Sequence, residues 1–591
     1  SMEQKNSQHA AWPLVAMACW LALIGSFVSP ARTHAADTPP STALQASPAL
    51  QAYEELQALR HQHGALIWGG KPASEADLRK VLTDLNAGLA RIGTPLITDL
   101  SFGWMPLAAR RIDFLIDKLR VLHRLNDRVG VARTWRELNG FAWLPTSMVS
   151  RGDASLQAIL DSAELADLRP RTSAAAWLAT PNAGTLAPHP LSREERIAGL
   201  STIWSVAREY FVWFDHVPDL DWDRAYLQAL PRVMDAPDEA AYWRELMRFT
   251  ALLRDGHSNA YPPESMASQL WSRPGLRTAR VNSQVLVMEV RDPSLQGRIH
   301  VGDRVLTIDG EAVDAYAARA VTPFQSSSTA QDLEVRSFDY GLMAGAADRP
   351  VTLELQRADG SRAVVQAPRS GYPTVAGPAS DRFELRPDGI AVVTAGQFES
   401  DAALELLRQH AQDLLKSKAM VIDLRGNGGG SSENGLGLLR WLTRLPLPST
   451  RSQIRVNDPE VKSAPFVVWR PLAHNAPRAP TELVFEGPVA LLIDARTFSA
   501  AEDTAAVFKL MKRGPIVGVP SGGSTGQPLV VPLPGGGMLR VCAKRDSYPD
   551  GSDFVGKGVQ PDVLAPQTVA SVRAGRDPAL EEALQRLLRP R

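Results

Sequence analysis

A chain of 591 residues is too long for one hydrophobic core, and at roughly 150 residues per domain it divides into about three or four domains. Lys+Arg and Asp+Glu are equal at 64 each, which removes the charge excess expected of a nucleic-acid-binding or membrane-surface protein. Hydrophobic content of 44% and charged content of 22% belong to an ordinary globular protein and leave the substrate unspecified.

Near the N-terminus, Lys5 is followed by the apolar run AWPLVAMACWLALIGSFV and then by PARTHAAD, with small residues at Ala35 and Ala36. This order predicts an export signal over residues 1–36 and a periplasmic or secreted protein. The run is also about as long as the shortest spanning helices, so an uncleaved signal acting as a membrane anchor is the alternative. VAMAC is a poor lipoprotein box, because Cys19 sits inside the apolar run. Residues 37–48 (DTPPSTALQASP) form a polar, Pro-rich linker. Cys19 and Cys542 are the only cysteines, so removal of the signal leaves no disulfide. Cys542, in the strand-like MLRVCAK, reads as a buried apolar residue.

From 50 to 180 the pattern is helical. In RRIDFLIDKLRVLHRLND, Ile112, Leu115, Ile116, Leu119 and Leu122 recur at three- and four-residue steps and give one apolar face. No chemistry attaches to this region. WLATPNAGTLAPHP, 177–190, is a Pro/Gly/Asn-rich boundary. A second helical segment covers 191–268. There DEAAYWRELMRFTALLRDGHS places Tyr242, Leu246, Phe249 and Leu253 on one face, with the helix predicted to stop at Gly256 and His257 just beyond it. Between 275 and 368 the period becomes that of strands, in QVLVMEV, RVLTIDG, PVTLELQ and RAVVQAP. From 380 to 570 strands and helices alternate, which predicts an α/β layer architecture with largely parallel pairing. PALEEALQRLL makes a last helix within 571–591.

Four short stretches carry candidate chemistry. DLRGNGGGSSENG, 423–435, follows the strand AMVIDL, and glycines at such a strand end let backbone N–H groups approach a ligand. It lacks the Gly-Lys-Ser/Thr ending of a phosphate loop, and a tight turn and an oxyanion hole both remain open. In DARTFSAAEDTAA, 494–506, Ser499 stands at a strand-to-helix turn. Ser499 and Glu502 have the spacing of a capping box, yet a helix start is also a favourable place for a nucleophile. RDGHSNAYPP, 254–263, offers His257 either as a polar loop residue or as a base carried to a site on another segment. VPSGGSTGQPLVVPLPGGG, with YPDGSDFVGKGVQPDV beyond it, supplies a further loop at the same sheet edge.

The order and wording of these stretches resemble the carboxyl-terminal-processing and tricorn-like family of serine proteases over about 190–570. The matching elements are DGHS, a PDZ-like segment, DLRGNGGG, TFSAAE, SGGSTGQ and GKGVQPDV. The resemblance implies a crotonase/Clp-protease-like catalytic core with helical N-terminal segments and an inserted PDZ-like β domain at 275–368. It implies Ser499 as nucleophile, and the N–H groups of Ala500 and Gly429 as oxyanion donors. Processing members place a base lysine where this chain has Gln527, which cannot take a proton from serine. Tricorn-like members use a histidine from the helical segment, which carries over to His257, a suitable base near neutral pH. Lys544 and Lys557 match no base position of the family.

For the acid that orients the histidine, the family places a Glu shortly before the GxGVxPD ending. Val555 occupies one alignment of that position, so Asp553 is the expected acid and Glu502 the second candidate. The PDZ-like match runs from Gly297 to Gly310, and such a domain holds an extended polypeptide substrate by strand addition. The insertion 315–349 reads either as a lid or as a decorated loop. No HExxH motif or Cys/His cluster calls for a metal, and no cofactor is expected. The alternative function is a catalytically inactive PDZ scaffold on the same fold. A crotonase-like thioester enzyme has no supporting feature.

Overall fold

The structure, a computed structural model, describes residues 48–67, 72–92, 107–139, 149–150, 153–168, 190–370, 381–457, 467–472 and 483–588. The predicted export signal, the linker up to residue 47 and the boundary up to residue 189 lie outside the described residues. Among those described, no helix is long and apolar enough to cross a membrane. The chain divides into two compact units near residue 185.

The first unit contains the helices Pro48–Ile67, Glu75–Ile92, Leu107–Arg124, Arg128–Asn139 and Ala154–Leu160. The apolar stripe expected in the third helix is its buried face: Leu115, Ile116, Leu119 and Leu122 are all buried and Ile112 packs against their cluster. Each such side chain withdrawn from water contributes about 1.5–3 kcal/mol, and together they hold helices that are marginal alone.

The second unit is built on a six-stranded sheet. Its strands are β1 (Arg382–Leu385), β2 (Ile390–Thr394), β3 (Ala419–Asp423), β4 (Val489–Ile493), β5 (Ile516–Gly518) and β6 (Val563–Leu564), in the order β6-β5-β4-β3-β2-β1. β2 to β6 are parallel and only β1 is antiparallel to its neighbour. β2, β3 and β4 are buried at every position, which is why they read as unbroken apolar runs. One face packs Val393, Ile422 and Leu491 into a cluster shared with the helix Ala500–Met511. The other face packs Val392, Val421 and Leu492 against Ala579 and Ala583 of the C-terminal helix Pro578–Leu588. Because the central strands are parallel, the loops after β3, β4 and β5 emerge at one edge. The helical connection after β2 is broken at His410 into Ala402–Gln409 and Ala411–Lys416.

The strand-rich segment forms a separate antiparallel sheet in the order 276–281, 284–290, 304–308, 351–356, 362–367. One edge strand, Leu276–Val281, lies within the strand-rich stretch 275–368 but outside the four runs read there. The insertion 315–349 folds onto this sheet through the helix Ala330–Val335 and the π-helical turn Arg336–Tyr340. Thr278 Oγ1 donates to Phe338 O at 2.5 Å and Arg277 pairs with Asp339 at 2.8 Å.

The helix Glu239–Ala251 buries Tyr242, Leu246 and Phe249 as expected, and Leu253 just past its end. It stops five residues before Gly256. Leu252, Leu253 and Arg254 close single turns back onto Phe249, Thr250 and Ala251, and Arg254 takes φ 47°. The chain then enters the short strand Asn259–Tyr261, which pairs antiparallel with Met538–Cys542. That pairing carries the DGHS loop to the core.

Candidate active site

Three loops at the sheet edge are laced together by backbone groups. Thr497 Oγ1 donates to Leu424 O (2.9 Å), Gly426 N donates to Asp494 Oδ1 (3.0 Å) and Phe498 N donates to Asn427 O (2.9 Å). Gly522 N donates to Thr497 O at 2.9 Å and Ser499 N to Ser524 O at 3.1 Å. Against this support Ser499 takes φ 56° and ψ −126° immediately before the helix Ala500–Met511. A non-glycine residue in such a region costs on the order of 1–3 kcal/mol and persists only where its surroundings impose it.

The Ser499 hydroxyl makes no capping bond, although the Ser499 carbonyl accepts from Glu502 N and Asp503 N. The capping box that the sequence permits is therefore absent. The hydroxyl instead lies 3.0 Å from His257 Nε2. The imidazole stacks on Phe498, with ring centroids 4.8 Å apart and planes at 17°. Burial, reinforced by Arg540, Arg336 and Lys544, holds its pKa well below the usual histidine value. The ring is thus neutral at pH 7, with an open lone pair for a serine proton. Gly256 allows the approach: a Cβ there would lie 2.8 Å from the Phe498 ring.

Behind the imidazole, His257 Nδ1 lies 2.7 Å from Ser524 Oγ, and Ser524 Oγ lies 3.5 Å from Asp255 Oδ1. Asp255 also accepts from His257 N at 3.1 Å and Ser258 Oγ at 2.6 Å. Burial pushes the Asp255 carboxyl up, against the pull of these hydrogen bonds and of Arg336. With Nδ1–H donating to Ser524 and Ser524 donating to Asp255, the Nε2 lone pair faces Ser499.

Asp553, expected behind the histidine, is elsewhere. Its carboxylate pairs with Arg545 at 3.1 Å and lies 3.6 Å from His216 Nε2, away from His257. Glu502 does not contact the histidine either. It accepts from Ser521 Oγ (2.5 Å), Gly523 N (2.6 Å) and Ser524 N (2.8 Å), so it holds the loop that presents Ser524. Burial pushes its carboxyl up to about 8 despite those three donors.

The Ala500 N–H makes no hydrogen bond to the described residues. The Gly429 N–H, expected beside it as a donor, is directed at Asn427 Oδ1 at 2.8 Å, while the neighbouring Gly428 N–H has no acceptor among the described residues. Gly429 acts by close packing. It has φ +104°, and a Cβ there would lie 2.6 Å from Ser499 Cβ. Lys544 sits 3.2 Å from Asp546; burial disfavours its charge, but Asp546 and Asp503 keep its pKa above the usual lysine value. It is a part-buried, ion-paired cation and no base. Cys542 is a free, buried thiol whose pKa burial raises well above normal. No group of His, Cys, Asp and Glu suited to a metal occurs among the described residues.

Residues 389–565 match the model of peptidase family S41. This part of the chain belongs to that family. The S41 domain is that of a serine-type peptidase, and it carries every loop just described except the one bearing His257. The chain is 28% identical over 169 residues to a carboxy-terminal-processing protease of Bartonella bacilliformis, covering 28% of this chain and 36% of that protein. A putative tricorn protease homolog 2 of Streptomyces coelicolor is 31% identical over 195 residues, 32% of this chain and 14% of the relative. A chloroplastic carboxyl-terminal-processing peptidase 2 of Arabidopsis thaliana is 25% identical over 262 residues, 44% and 46% of the two. The alignments thus span less than half of each relative. Among solved structures, mature CPAF complexed with lactacystin superposes with a TM-score of 0.53 at 15% identity, over 67% of this chain and 98% of that one, which is a likeness of fold.

Proposed function

We propose that this chain is a serine endopeptidase that hydrolyses extended polypeptides through an acyl-enzyme on Ser499. Ser499 Oγ attacks the peptide carbonyl while His257 Nε2 takes the hydroxyl proton. The negative oxygen of the tetrahedral intermediate is met by the N–H groups of Ala500 and Gly428, the former at the positive end of the helix Ala500–Met511. When the intermediate collapses, the C–N bond breaks and His257 returns its proton to the leaving amine. Water repeats the sequence to release the acid. Ser524 and Asp255 hold the imidazole in the tautomer this requires.

The observation that supports this reading most is the 3.0 Å approach of His257 Nε2 to a serine hydroxyl that does not cap its own helix. Within the same reading the core is crotonase/Clp-like, the antiparallel sheet at 276–367 is a PDZ-like module on which substrate docks, and the N-terminal apolar run directs export.

A fluorophosphonate that acylates activated serines tests the assignment. Wild type is expected to be labelled, and Ser499→Ala not at all. His257→Ala is expected to slow labelling by about 10²–10⁴-fold, the usual worth of a general base. Lys544→Met, if it folds, keeps a rate within a few-fold of wild type. Unchanged labelling of His257→Ala overturns the base, and failure to label folded wild type overturns the peptidase reading.

A further inference from the structure

A cavity of about 690 Å³ in the second unit opens beside Gly428 and Gly429 and continues past Asn259 and Tyr261. The insertion 315–349, which the reaction scheme leaves without a role, supplies eleven of the twenty-five lining residues, from Tyr316 to Ala344. The charge of the lining is one-sided. Five arginines face it, Arg244, Arg273, Arg319, Arg336 and Arg496, against one carboxylate, Glu399.

Three of these cations have partners in the protein. Arg336 pairs with Asp332 at 2.7 Å, Arg319 with Glu311 at 2.6 Å, and Arg496 with Asp339 at 3.6 Å, a carboxylate it shares with Arg277. Arg273 gives an N–H to the neutral carbonyl of Tyr340 at 2.6 Å. Arg244 is exposed, lies 5.9 Å from the Phe324 ring centroid, and has no carboxylate within ion-pair distance among the described residues. Tyr261, Trp271, Tyr316 and Phe324 supply apolar walls that lower the local dielectric and strengthen a charge-assisted contact.

We infer that this cavity is a substrate subsite that takes a carboxylate, with Arg244 as its principal ligand and the insertion as its outer wall. The inference rests on the peptidase reading for its place beside Ser499, but binding does not depend on hydrolysis. The carboxylate comes either from an Asp or Glu side chain of the polypeptide or from its C-terminus. Basic segments are rejected by the same arginines.

The test uses the full-length Ser499→Ala protein, which binds without turnover, and fluorescent peptides carrying a central Glu or Gln, each with a free or amidated C-terminus. Anisotropy is expected to show about tenfold tighter binding for a carboxylate-bearing peptide than for its neutral counterpart, shrinking as salt is raised. Discrimination between Glu and Gln in amidated peptides assigns the side chain. Discrimination only between free and amidated ends assigns the terminus. Arg244→Glu in this background is expected to abolish the preference, and Arg319→Gln, also exposed, to reduce it. Equal Kd values for all four peptides overturn the subsite, as does an unaltered preference in both variants. Failure of the folded wild-type protein to be labelled, with the preference intact in Ser499→Ala, removes the peptidase reading and leaves the carboxylate site standing.

Discussion

Ser499 is held in a backbone region few side chains tolerate, and the hydroxyl it presents meets an imidazole whose charge is suppressed on every side. Arg540, Arg336 and Lys544 all disfavour a proton on His257, and burial does so most. The folded pKa therefore lies below the usual value of about 6.5. Between that value and the folded pKa the unfolded chain binds a proton that the folded one refuses, so this group's contribution to stability is lost as pH falls below about 6.5. Its readiness as a base persists further into acid. The rate of fluorophosphonate labelling is expected to stay level from pH 8 down to about 6.5 and to decline only below it. An inflection at or above about 6.5 shows that a different group takes the proton. The residue scale is also where sequence reasoning failed. Offset from a glycine-rich ending points to Asp553, but offset cannot say which way a carboxylate turns; Arg545 and His216 hold it elsewhere. The group that does stand behind the imidazole is two residues from it in the same DGHS motif. Asp255 reaches it through Ser524, from the glycine-rich loop at the same sheet edge. An acidic residue inside a motif already suspected of catalysis was the available signal.

The elements were more legible than their junctions. Unbroken apolar runs identified β2, β3 and β4 because parallel strands buried on both faces leave no polar alternation. Helix ends were less readable, since the stop at Ala251 is set by turns and by what Asp255 binds across the molecule. That partner is the insertion. Ser326 Oγ accepts from Asp255 N at 3.1 Å and donates to Asp255 O at 2.8 Å, and Ser328 Oγ accepts from Gly256 N at 3.0 Å. Thr329 Oγ1 donates to Gly522 O at 2.6 Å, and Gln331 Nε2 donates to Ser521 O at 2.9 Å. A segment that sequence could describe only as lid or decoration thus ties the histidine loop to the loop carrying Ser524. Ser326→Ala is expected to cost about 1–3 kcal/mol in urea denaturation, because Asp255 N is left buried without its acceptor. It is also expected to lower the maximal rate constant for fluorophosphonate acylation more than affinity for the reagent, since His257 loses its register. A loss confined to affinity contradicts that role.

At the scale of the molecule, the two units carry separate cores, one of helices alone and one around the six-stranded sheet. Every group assigned to the reaction, from Asp255 to Ser524, belongs to the second. A protein comprising residues 186–591 is therefore expected to fold cooperatively and to be labelled at Ser499 within a few-fold of the full-length rate, as thermal melting and labelling kinetics will show. Loss of labelling with a normal melt assigns the first unit a direct part in the site.

The pairing of Asn259–Tyr261 with Met538–Cys542 has a temporal meaning. A ribosome delivers His257, the proposed base, 242 residues ahead of Ser499, and the strand that docks it arrives later still. Until that last ribbon closes, the growing chain holds an inert serine and a solvated histidine. On the proposed assignment, a chain cannot cut itself while it is still being made.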